Sequence, residues 1–259
     1  MVLELVELSK MYPAKPPGAE IPVLDRLSGR FEAGKFISII GSSGCGKTTL
    51  LRIISGLEPA DSGRVLWNGE ELTLGSKKVG LVFQEYALFP WRTTLENIQF
   101  GLEIQGLGKE EREGLAREYL SIVGLNGFEE HYPHQLSGGM QQRVAIARTL
   151  IMNPQVVLMD EPFASLDSQT RNDLQEFLMA VWQKREDTIL FVTHNVDEAV
   201  FLSDLIVVLS PRPARIETIL KVETQRPRER TDPEFNTLRR TILQHLKQQK
   251  RKGQEGRPL

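Results

Sequence analysis

The sequence is poor in several features that define common protein classes. It holds one cysteine, Cys45, in 259 residues, so no disulfide can form within one chain, and the composition is compatible with a reducing compartment. No apolar run approaches the roughly 18 residues that a membrane-spanning helix requires. A membrane role would therefore have to come through a partner.

Strong net charge is also lacking, because 32 Lys/Arg and 34 Asp/Glu leave a net charge of -2. The charge is uneven, since 13 basic and 6 acidic residues follow from Arg212 onward while the preceding part is acidic. A polynucleotide binder more often spreads a basic field over its folded body, so nucleic acid is not favoured as a partner. The hydrophobic content of 40% suffices for a core, which disfavours disordered and fibrous architectures.

Short apolar runs separated by helical patterns predict an α/β fold. The runs are typical of strands that are covered on both faces, and strands that alternate with helices favour a parallel sheet. Between about residues 85 and 150 no such run occurs, which indicates an inserted helical subdomain. The predicted strands are 2–8, 36–40, 79–83, 156–159, 188–192 and 205–209, and the predicted helices are 48–55, 109–123, 139–152 and 168–184.

A final helix is predicted near the C-terminus. Phe235, Leu238, Ile242 and Leu246 form one apolar stripe at helical spacing. The preceding pair 232–233, an aspartate and a proline, is suited to the cap and the first turn of a helix. We expect this helix to pack on the core.

The stretch Gly41-Ser42-Ser43-Gly44-Cys45-Gly46-Lys47-Thr48 has the spacing of a phosphate-binding loop, directly after a strand and before a helix. Its glycines let successive amides point inward, and the helix start adds a positive charge of about half a unit. Lys47 can reach the β- and γ-phosphates of a nucleotide, and the Thr48 hydroxyl can ligate Mg²⁺. We predict that Cys45 contributes its backbone amide alone. A plain glycine-rich turn is the alternative, against which the flanking strand and helix argue.

Two carboxylates follow the apolar strand 156–159, at Asp160 and Glu161. The carboxyl ends of strands are where α/β sheets bind ligands. Asp160 is placed to hold the shell of a magnesium ion, and Glu161 can polarise an attacking water because adjacent strand residues point in different directions. An acidic surface at a strand end is the alternative, which the phosphate-binding loop makes the weaker one.

A second glycine-flanked helix start lies at Leu136-Ser137-Gly138-Gly139-Met140-Gln141-Gln142-Arg143 and offers further N–H donors for an anion. Two such helix starts suggest a shared nucleotide. With these motifs in this order, the chain strongly resembles the ATP-binding cassette (ABC) ATPases over nearly its whole length. The resemblance implies a head-to-tail dimer in which Ser137 and Gly139 of one subunit close over ATP held by the phosphate-binding loop of the other.

The same resemblance implies the fold of a P-loop NTPase of the RecA-like type. We expect a mainly parallel sheet core with an N-terminal antiparallel β part and an inserted α-helical subdomain. The whole chain, 1–259, would be a single ABC ATPase domain. Its core would lie at about 1–84 and 151–222, its helical subdomain at about 85–150, and its C-terminal helix and basic tail at about 223–259.

Roles for single residues are also implied by the resemblance. Gln84 is similar to the Q-loop residue that contacts Mg²⁺ or water, and Asp167, in Ser165-Leu166-Asp167, to the D-loop residue that crosses the dimer interface. His194 resembles the switch histidine at the γ-phosphate, and Tyr12 resembles the aromatic residue that stacks on adenine. The implied catalytic residues are Lys47, Gln84, Glu161 and His194. The implied magnesium ligands are Thr48, Gln84 and Asp160. The implied nucleotide-binding residues are Tyr12, Gly41, Ser42, Ser43, Gly44, Cys45, Gly46, Lys47, Thr48, Thr49, Ser137, Gly138, Gly139 and Asp167.

Three phrases resemble the importer branch for nitrate, sulfonate, taurine and bicarbonate: Phe89-Pro90-Trp91-Arg92, residues 197–204 and Ser210-Pro211-Arg212-Pro213. The resemblance implies an ATPase subunit held peripherally at the cytoplasmic face of the cell membrane. It would pair around two MgATP with an identical or related subunit and drive a two-subunit or dimeric permease, while an extracytoplasmic binding protein acts indirectly. The aromatic residues of 84–93 would receive a permease helix or pack within the subdomain.

Two positions depart from the usual family pattern, Met140 where glutamine is usual and Asn195 where aspartate often follows the switch histidine. Neither change removes a phosphate donor, so we expect altered packing at Met140 rather than lost ATP binding. The main alternative function is a soluble non-transport ABC ATPase acting on nucleic acid or ribosomes, which usually needs a coiled-coil insertion or a second cassette. A nucleotide-binding switch without turnover is a third alternative that the motif spacing leaves open.

Overall fold

The computed structural model describes residues 1–14, 18–73 and 75–255, with side chains to residue 249. Its contacts divide the chain into two compact units, Met1–Ser76 with Thr188–Leu259, and Lys77–Asp187. The functional boundaries predicted near residues 84, 150 and 222 are not tested by this division and stay predictions. The sequence also predicts a proline-rich loop at 13–18, and this prediction falls partly on residues 15–17, outside the described residues.

Strands and helices alternate along the described chain as an α/β protein requires. The strands are β1 (Val2–Pro13), β2 (Glu20–Glu32), β3 (Phe36–Ile40), β4 (Ser62–Trp67), β5 (Glu70–Glu71), β6 (Val79–Val82), β7 (Val156–Asp160), β8 (Thr188–Val192), β9 (Leu205–Leu209) and β10 (Ile216–Lys221). The helices are α1 (Lys47–Ile54), α2 (Thr94–Ile104), α3 (Lys109–Ile122), α4 (Gly138–Leu150), α5 (Ser168–Arg185), α6 (Val196–Leu202) and α7 (Pro233–Glu255).

An antiparallel sheet forms the N-terminal part of the first unit, in the strand order β2-β1-β4-β5. In β1 the predicted alternation is observed in the first part, where Leu3 and Leu5 are buried while neighbouring residues reach the surface. A register shift between Leu5 and Leu8 then interrupts the alternation, and Leu8 is buried as well. The strand continues to Pro13, so that Tyr12 lies at its end and pairs with Ile21 of β2. This sheet confirms the expected antiparallel β part.

The other sheet of the first unit is mainly parallel, with β10 pairing antiparallel with β9. β3 lies between β8 and β9 and is parallel to both, with Ile39 opposite Val192 and Ile40 opposite Val208. Every residue of β3 and β8 is buried, as the continuous apolar runs predicted. Because parallel strands end at one edge, the residues that follow β3, β8 and β9 lie side by side there.

The C-terminal helix packs on the first unit through the predicted stripe. Phe235 and Ile242 are buried in one apolar cluster with residues of α6 and β3, and Leu238 and Leu246 pack against it partly buried. The prediction of a helix that packs on the core is thereby confirmed. Neither α7 nor any other helix of the described chain has both the length and the apolar character needed to span a bilayer.

A buried arginine closes the end of α6. The Arg228 side chain donates to the main-chain oxygens of Val200, Phe201 and Ser203, at 3.0, 2.9 and 2.7 Å. These carbonyls are among those that a helix end leaves without helical partners. Burial lowers the pKa of Arg228 to about 10, with a smaller effect from Arg226, so the guanidinium stays charged at neutral pH.

The second unit, all of whose residues are described, consists of helices around a parallel pair of strands. β6 and β7 pair in register, and no strand lies between them in the sequence, as the helical insertion predicts. α2 begins at a capping box in which the Thr93 hydroxyl and the Glu96 carboxylate each accept the other residue's amide. α2, α3 and α4 enclose an apolar core that includes Ile98, Leu120 and Val144.

Truncation of Ile242 should test whether α7 belongs to the folded core. We expect Ile242→Ala to lower the free energy of unfolding by about 2–5 kcal/mol, because the side chain is fully buried. Urea titration of the variant and the parent chain measures the difference. Arg240→Ala, at an exposed position of the same helix, serves as the control and should change it by less than about 0.5 kcal/mol. Equal effects of the two substitutions would contradict the packing of α7.

Candidate active site

The loop between β3 and α1 is built on glycines that no other residue could replace. Gly46 has φ of +120°, and a Cβ there would lie 2.9 Å from Val23 Cγ1 of β2. Gly41 is packed as tightly as Gly46, since a Cβ on Gly41 would lie 2.8 Å from Cys45 Sγ. The backbone therefore turns sharply against β2 and enters α1 directly from the end of a buried strand.

Positive charge collects at the start of α1. The Lys47 ammonium donates to the main-chain oxygens of Gly41 and Ser42, at 3.1 and 3.3 Å, and the residue is buried. None of the described side chains caps this helix, whose first amides have no intrahelical acceptor. The helix dipole, these amides and Lys47 together suit the binding of an anion such as phosphate. Ser43, Thr48 and Thr49 lie at the solvent-accessible side of the same loop and first turn.

Cys45 is enclosed by the loop rather than presented by it. Its side chain is 1% exposed, and burial raises the pKa of the thiol. A buried neutral thiol is a poor nucleophile. The prediction that Cys45 acts through its backbone amide alone agrees with this environment.

Tyr12 lies beside the first turn of α1. Burial, together with the nearby Glu58 carboxylate, raises the pKa of its hydroxyl, while the Thr49 side chain acts to lower it. The Lys10 ammonium lies 5.6 Å from the centre of the ring and also reaches Glu58, at 3.4 Å. The structure thus brings the predicted adenine-stacking residue to the phosphate-binding helix, while its stacking on a base stays a prediction.

His194 stands at the same sheet edge as the phosphate-binding loop. It follows β8, whose Val192 pairs with Ile39, and the Thr193 amide donates to the Ile39 oxygen at 3.3 Å. His194 is exposed at this edge. Asn195 accepts the amides of residues 197 and 198 and thereby caps α6. Since asparagine and aspartate are equally good at this position of a helix, the departure from aspartate leaves the local structure intact.

The second unit carries the predicted carboxylates and Gln84. Asp160 ends β7 and is buried, and Glu161 follows it with φ of +46°. This left-handed backbone is uncommon for glutamate and is the kind of strain found at functional sites. Gln84 comes two residues after Val82, which pairs with Met159. Gln84 and Glu161 therefore leave neighbouring parallel strands at one edge.

The start of α4 is a second tight glycine turn. The Ser137 hydroxyl accepts the Met140 amide at 3.3 Å and caps the helix. A Cβ at Gly139 would lie 2.6 Å from Thr170 Cγ2, and one at Gly138 would lie 2.8 Å from the Tyr86 hydroxyl oxygen. Met140 packs against the apolar core of the helical subdomain, in line with the expectation that its effect is on packing.

Asp167 caps α5. Its carboxylate accepts the amides of Gln169 and Thr170, both at 3.0 Å. The Thr170 hydrogen bonds, from its side chain and then its amide, lower the pKa of Asp167, which therefore stays ionised. The cap accounts for aspartate at this position, and contact with a nucleotide or a second subunit stays a prediction.

The predicted site residues thus fall into two groups, one in each unit. The first unit brings together Tyr12, the phosphate-binding loop at 41–48, Thr49 and His194. The second unit holds Gln84, the helix start at 137–139, Asp160, Glu161 and Asp167.

One contact of the phosphate-binding loop escaped the sequence analysis. Arg212 donates from Nε and Nη2 to the Gly44 oxygen, at 3.1 and 2.6 Å. Gly44 has φ of +73°, so the arginine holds the loop where its backbone is least regular. No local sequence signal predicts this contact, because it depends on the parallel pairing of β3 with β9, which places the segment after Leu209 beside the loop after Ile40.

Comparison with known proteins gives consistent matches. The sequence profile described as ABC transporter matches residues 24–164. The chain is 42% identical to the aliphatic sulfonates import ATP-binding protein SsuB of Bacillus thuringiensis subsp. konkukian, over 95% of this chain and 96% of that protein. It is 43% identical to the nitrate import ATP-binding protein NrtD of Synechocystis sp., over 91% of each. A dimeric ATP-binding cassette solved in a post-hydrolysis state with ADP and Pi superposes with a TM-score of 0.75 at 33% identity, covering 86% of this chain and 100% of that one.

Replacement of Arg212 should weaken nucleotide binding. We expect Arg212→Gln to raise the dissociation constant for ATP about three- to tenfold, because a hydrogen bond to a charged donor that orders the loop is lost. Titration with a fluorescent ATP analogue measures the constant. Arg215→Gln removes another exposed arginine of the same segment, one that pairs with Asp25, and should leave it unchanged. Equal affinities of both variants and the parent chain would refute the role of Arg212.

Proposed function

This chain belongs to the ABC transporter family of ATP-binding proteins and is an ATPase, and we propose that it powers an importer as one of two such subunits on a membrane permease. The family assignment rests on two findings: the profile matches residues 24–164, and two relatives are 42 and 43% identical to this chain. Both relatives are named as import ATP-binding proteins. We place this chain, like them, at the cytoplasmic face of a membrane through its partner.

The observation that carries the proposal is the pair of glycine-built helix starts, one in each unit. The loop before α1 surrounds the Lys47 ammonium, whereas α4 begins at the Ser137 cap and has a polar but uncharged start. Each helix start suits an anion. We propose that two subunits pair head to tail, so that ATP on the α1 loop of one is covered by Ser137 and Gly139 of the other. The solved relative named as dimeric with ADP and Pi supports such a pairing.

Within this arrangement each predicted residue has a distinct task. Lys47, with the amides of 41–46 and the side chains of Thr48 and Thr49, stabilises the phosphate oxygens. Tyr12 stacks on adenine, and His194 contacts the γ-phosphate from the neighbouring strand end. Glu161 orients the attacking water and accepts its proton. The strained backbone of Glu161 supports this role, because such strain is retained where position matters.

The proposed magnesium ligands fit the ion by their chemistry. Thr48, Gln84 and Asp160 offer a hydroxyl, an amide oxygen and a carboxylate, which are the hard oxygen donors that Mg²⁺ prefers. The burial of Asp160 suits a carboxylate whose charge is matched by a cation. When bound with ATP, Mg²⁺ neutralises charge on the phosphate oxygens.

Work on the permease would come from differential binding of ATP. A nucleotide that contacts two subunits binds the closed pair more tightly than the open one, so ATP shifts the equilibrium toward closure. Hydrolysis separates the γ-phosphate and removes that preference. The pair then reopens, and the permease alternates between its two states.

The substrate of the importer would be a small anion of the nitrate, sulfonate, taurine or bicarbonate type. The two named relatives act in sulfonate and nitrate import, and the phrases at 89–92, 197–204 and 210–213 resemble the same branch. A separate binding protein and the permease would choose among these anions. No feature of the described residues and neither relative favours the alternative of a soluble ATPase on nucleic acid or ribosomes.

The aromatic residues on either side of Gln84 differ in exposure, because some pack inside the subdomain and others lie at the surface. The Phe89 ring lies 4.5 Å from that of Phe100 between their centres, so Phe89 helps to pack the subdomain. Trp91 is 71% exposed and Phe83 is 43% exposed. We propose that Trp91 and Phe83 are the anchors for a permease helix, because exposed aromatic residues supply much of the energy of such contacts.

Glu161→Gln tests the catalytic assignment. We expect steady-state ATP turnover to fall by about 100-fold or more, since the general base is lost, while ATP binding persists. The trapped nucleotide should hold two subunits together, which light scattering after size-exclusion chromatography detects. Glu186→Gln is the matched control, because Glu186 also has a left-handed backbone, with φ of 54°, in the same unit. Unchanged turnover of Glu161→Gln would remove Glu161 from the catalytic role.

Trp91→Ala tests the docking surface. We expect it to reduce co-purification with the partner permease by about tenfold or more, as for an interface hot spot. Recovery of tagged permease with each variant, measured by quantitative blotting, gives the change. Ile104→Ala is the control, because Ile104 is 73% exposed in the same unit but lies outside the aromatic segment. Full recovery with Trp91→Ala would refute the proposed anchor.

A further inference from the structure

Tyr86 joins three segments of the second unit that are far apart in sequence. Its hydroxyl shares a hydrogen bond of 3.0 Å with the hydroxyl of Ser165, two residues before Asp167. The same oxygen lies 2.8 Å from the point where a Cβ of Gly138 would stand, and the nearest ring carbon, Cζ, lies 3.7 Å from that point. The segment after Gln84 thus touches both the start of α4 and the start of α5.

The backbone of this segment is held by α4 as well. Arg148, in the last turn of α4, donates to the main-chain oxygens of Ala87 and Tyr86, at 2.6 and 3.1 Å. Its guanidinium also lies 5.7 Å from the centre of the Phe89 ring. The segment is therefore fixed to one end of α4 through its main chain and to the other end through the Tyr86 side chain.

We propose that Tyr86 is a positioning residue that keeps the Ser137–Gly139 helix start and the 165–167 segment in the geometry that a second subunit's nucleotide requires. This inference rests on the proposed pairing of subunits around ATP. Ser137, Gly139 and Asp167 are the residues that would face the partner subunit. Tyr86 contacts Gly138, which lies between the first two, and Ser165, which lies two residues before Asp167. It therefore acts through them and does not itself contact ATP.

The chemistry of the contact predicts where a loss would be seen. The two hydroxyls lie near the surface, so water can replace either partner in an isolated subunit, and folding loses little. Subunit pairing is more sensitive, because it needs both segments ordered at once. When the bond between the two hydroxyls is missing, the free-energy cost of ordering the segments falls on pairing and lowers the affinity of the subunits for each other. Removal of the Tyr86 hydroxyl should thus affect pairing and leave folding and ATP binding by the single subunit unchanged.

The experiment uses the Glu161→Gln chain, in which MgATP traps the pair. We expect Tyr86→Phe to weaken MgATP-dependent association by about threefold for each of the two copies of the bond, or roughly tenfold overall. Ser165→Ala should have the same effect, and the double variant should be no worse than either single one. Tyr119→Phe is the control, since it removes a hydroxyl of the same unit that accepts from Arg185 at 2.7 Å.

A second variant pair reports on position instead of bond strength. Gly138→Ala forces the Tyr86 hydroxyl away from its place, and Tyr86→Phe leaves only an ordinary contact with the ring. Association of the Gly138→Ala, Tyr86→Phe chain should therefore exceed that of Gly138→Ala alone. If the place of the Tyr86 hydroxyl did not matter for pairing, the added Tyr86→Phe substitution would give no such rescue.

The outcomes separate this inference from the proposed function. If the Glu161→Gln chain binds MgATP and fails to associate, the proposed pairing itself is wrong. If that chain associates and Tyr86→Phe associates equally tightly, the positioning role is overturned and the pairing stands. A loss of association matched by a lower midpoint of thermal unfolding than that of Tyr119→Phe would also overturn it, because Tyr86 would then only stabilise the fold.

Discussion

Backbone amides hold a multiply charged phosphate chain best where a helix begins without a side-chain cap, and this requirement shapes the first unit. The loop into α1 keeps its amides available by turning at Gly44 and Gly46, which have positive φ angles. Buried β3 fixes the start of the loop, and β2 lies so close to Gly46 that a methyl group would not fit. Lys47, held by the loop's own carbonyls, adds the one cationic side chain of the predicted phosphate set.

The second unit repeats the principle in weaker form. Its helix start at Gly138 is equally tight but has the Ser137 hydroxyl as its cap and no lysine. Such a surface would add contacts to a nucleotide that is already bound elsewhere. A strong anion site and a weak complementary one on the same chain are what the proposed pairing of subunits around nucleotide requires.

Arginine side chains hold the irregular segments around both groups of site residues. Loops lack the ladder of hydrogen bonds that orders strands and helices, and a guanidinium offers five donors to main-chain oxygens. Arg212 donates to Gly44, Arg148 donates to the segment after Gln84, and Arg228 donates to the end of α6, the helix that follows His194. The segments around the predicted site residues are therefore positioned by side chains that do not belong to the predicted catalytic set.

Local patterns in the sequence were enough for the motifs and for the buried elements of the parallel sheet. The phosphate-binding loop, the buried strands and α1, α3, α4 and α5 were predicted within about two residues of their observed ends, because glycine spacing and apolar periodicity act over a few residues. The separate helices α2 and α6 and the strands β2, β4, β5 and β10 were not predicted individually.

Tertiary structure alone decided which distant side chains meet. The bond between Tyr86 and Ser165 joins residues 79 positions apart, and that between Arg212 and Gly44 spans 168 positions. No periodicity encodes such pairs, because they depend on how parallel strands are ordered and where each strand ends. Sequence thus determined the chemistry that each segment can perform, and the pairing of strands decided which segments perform it together.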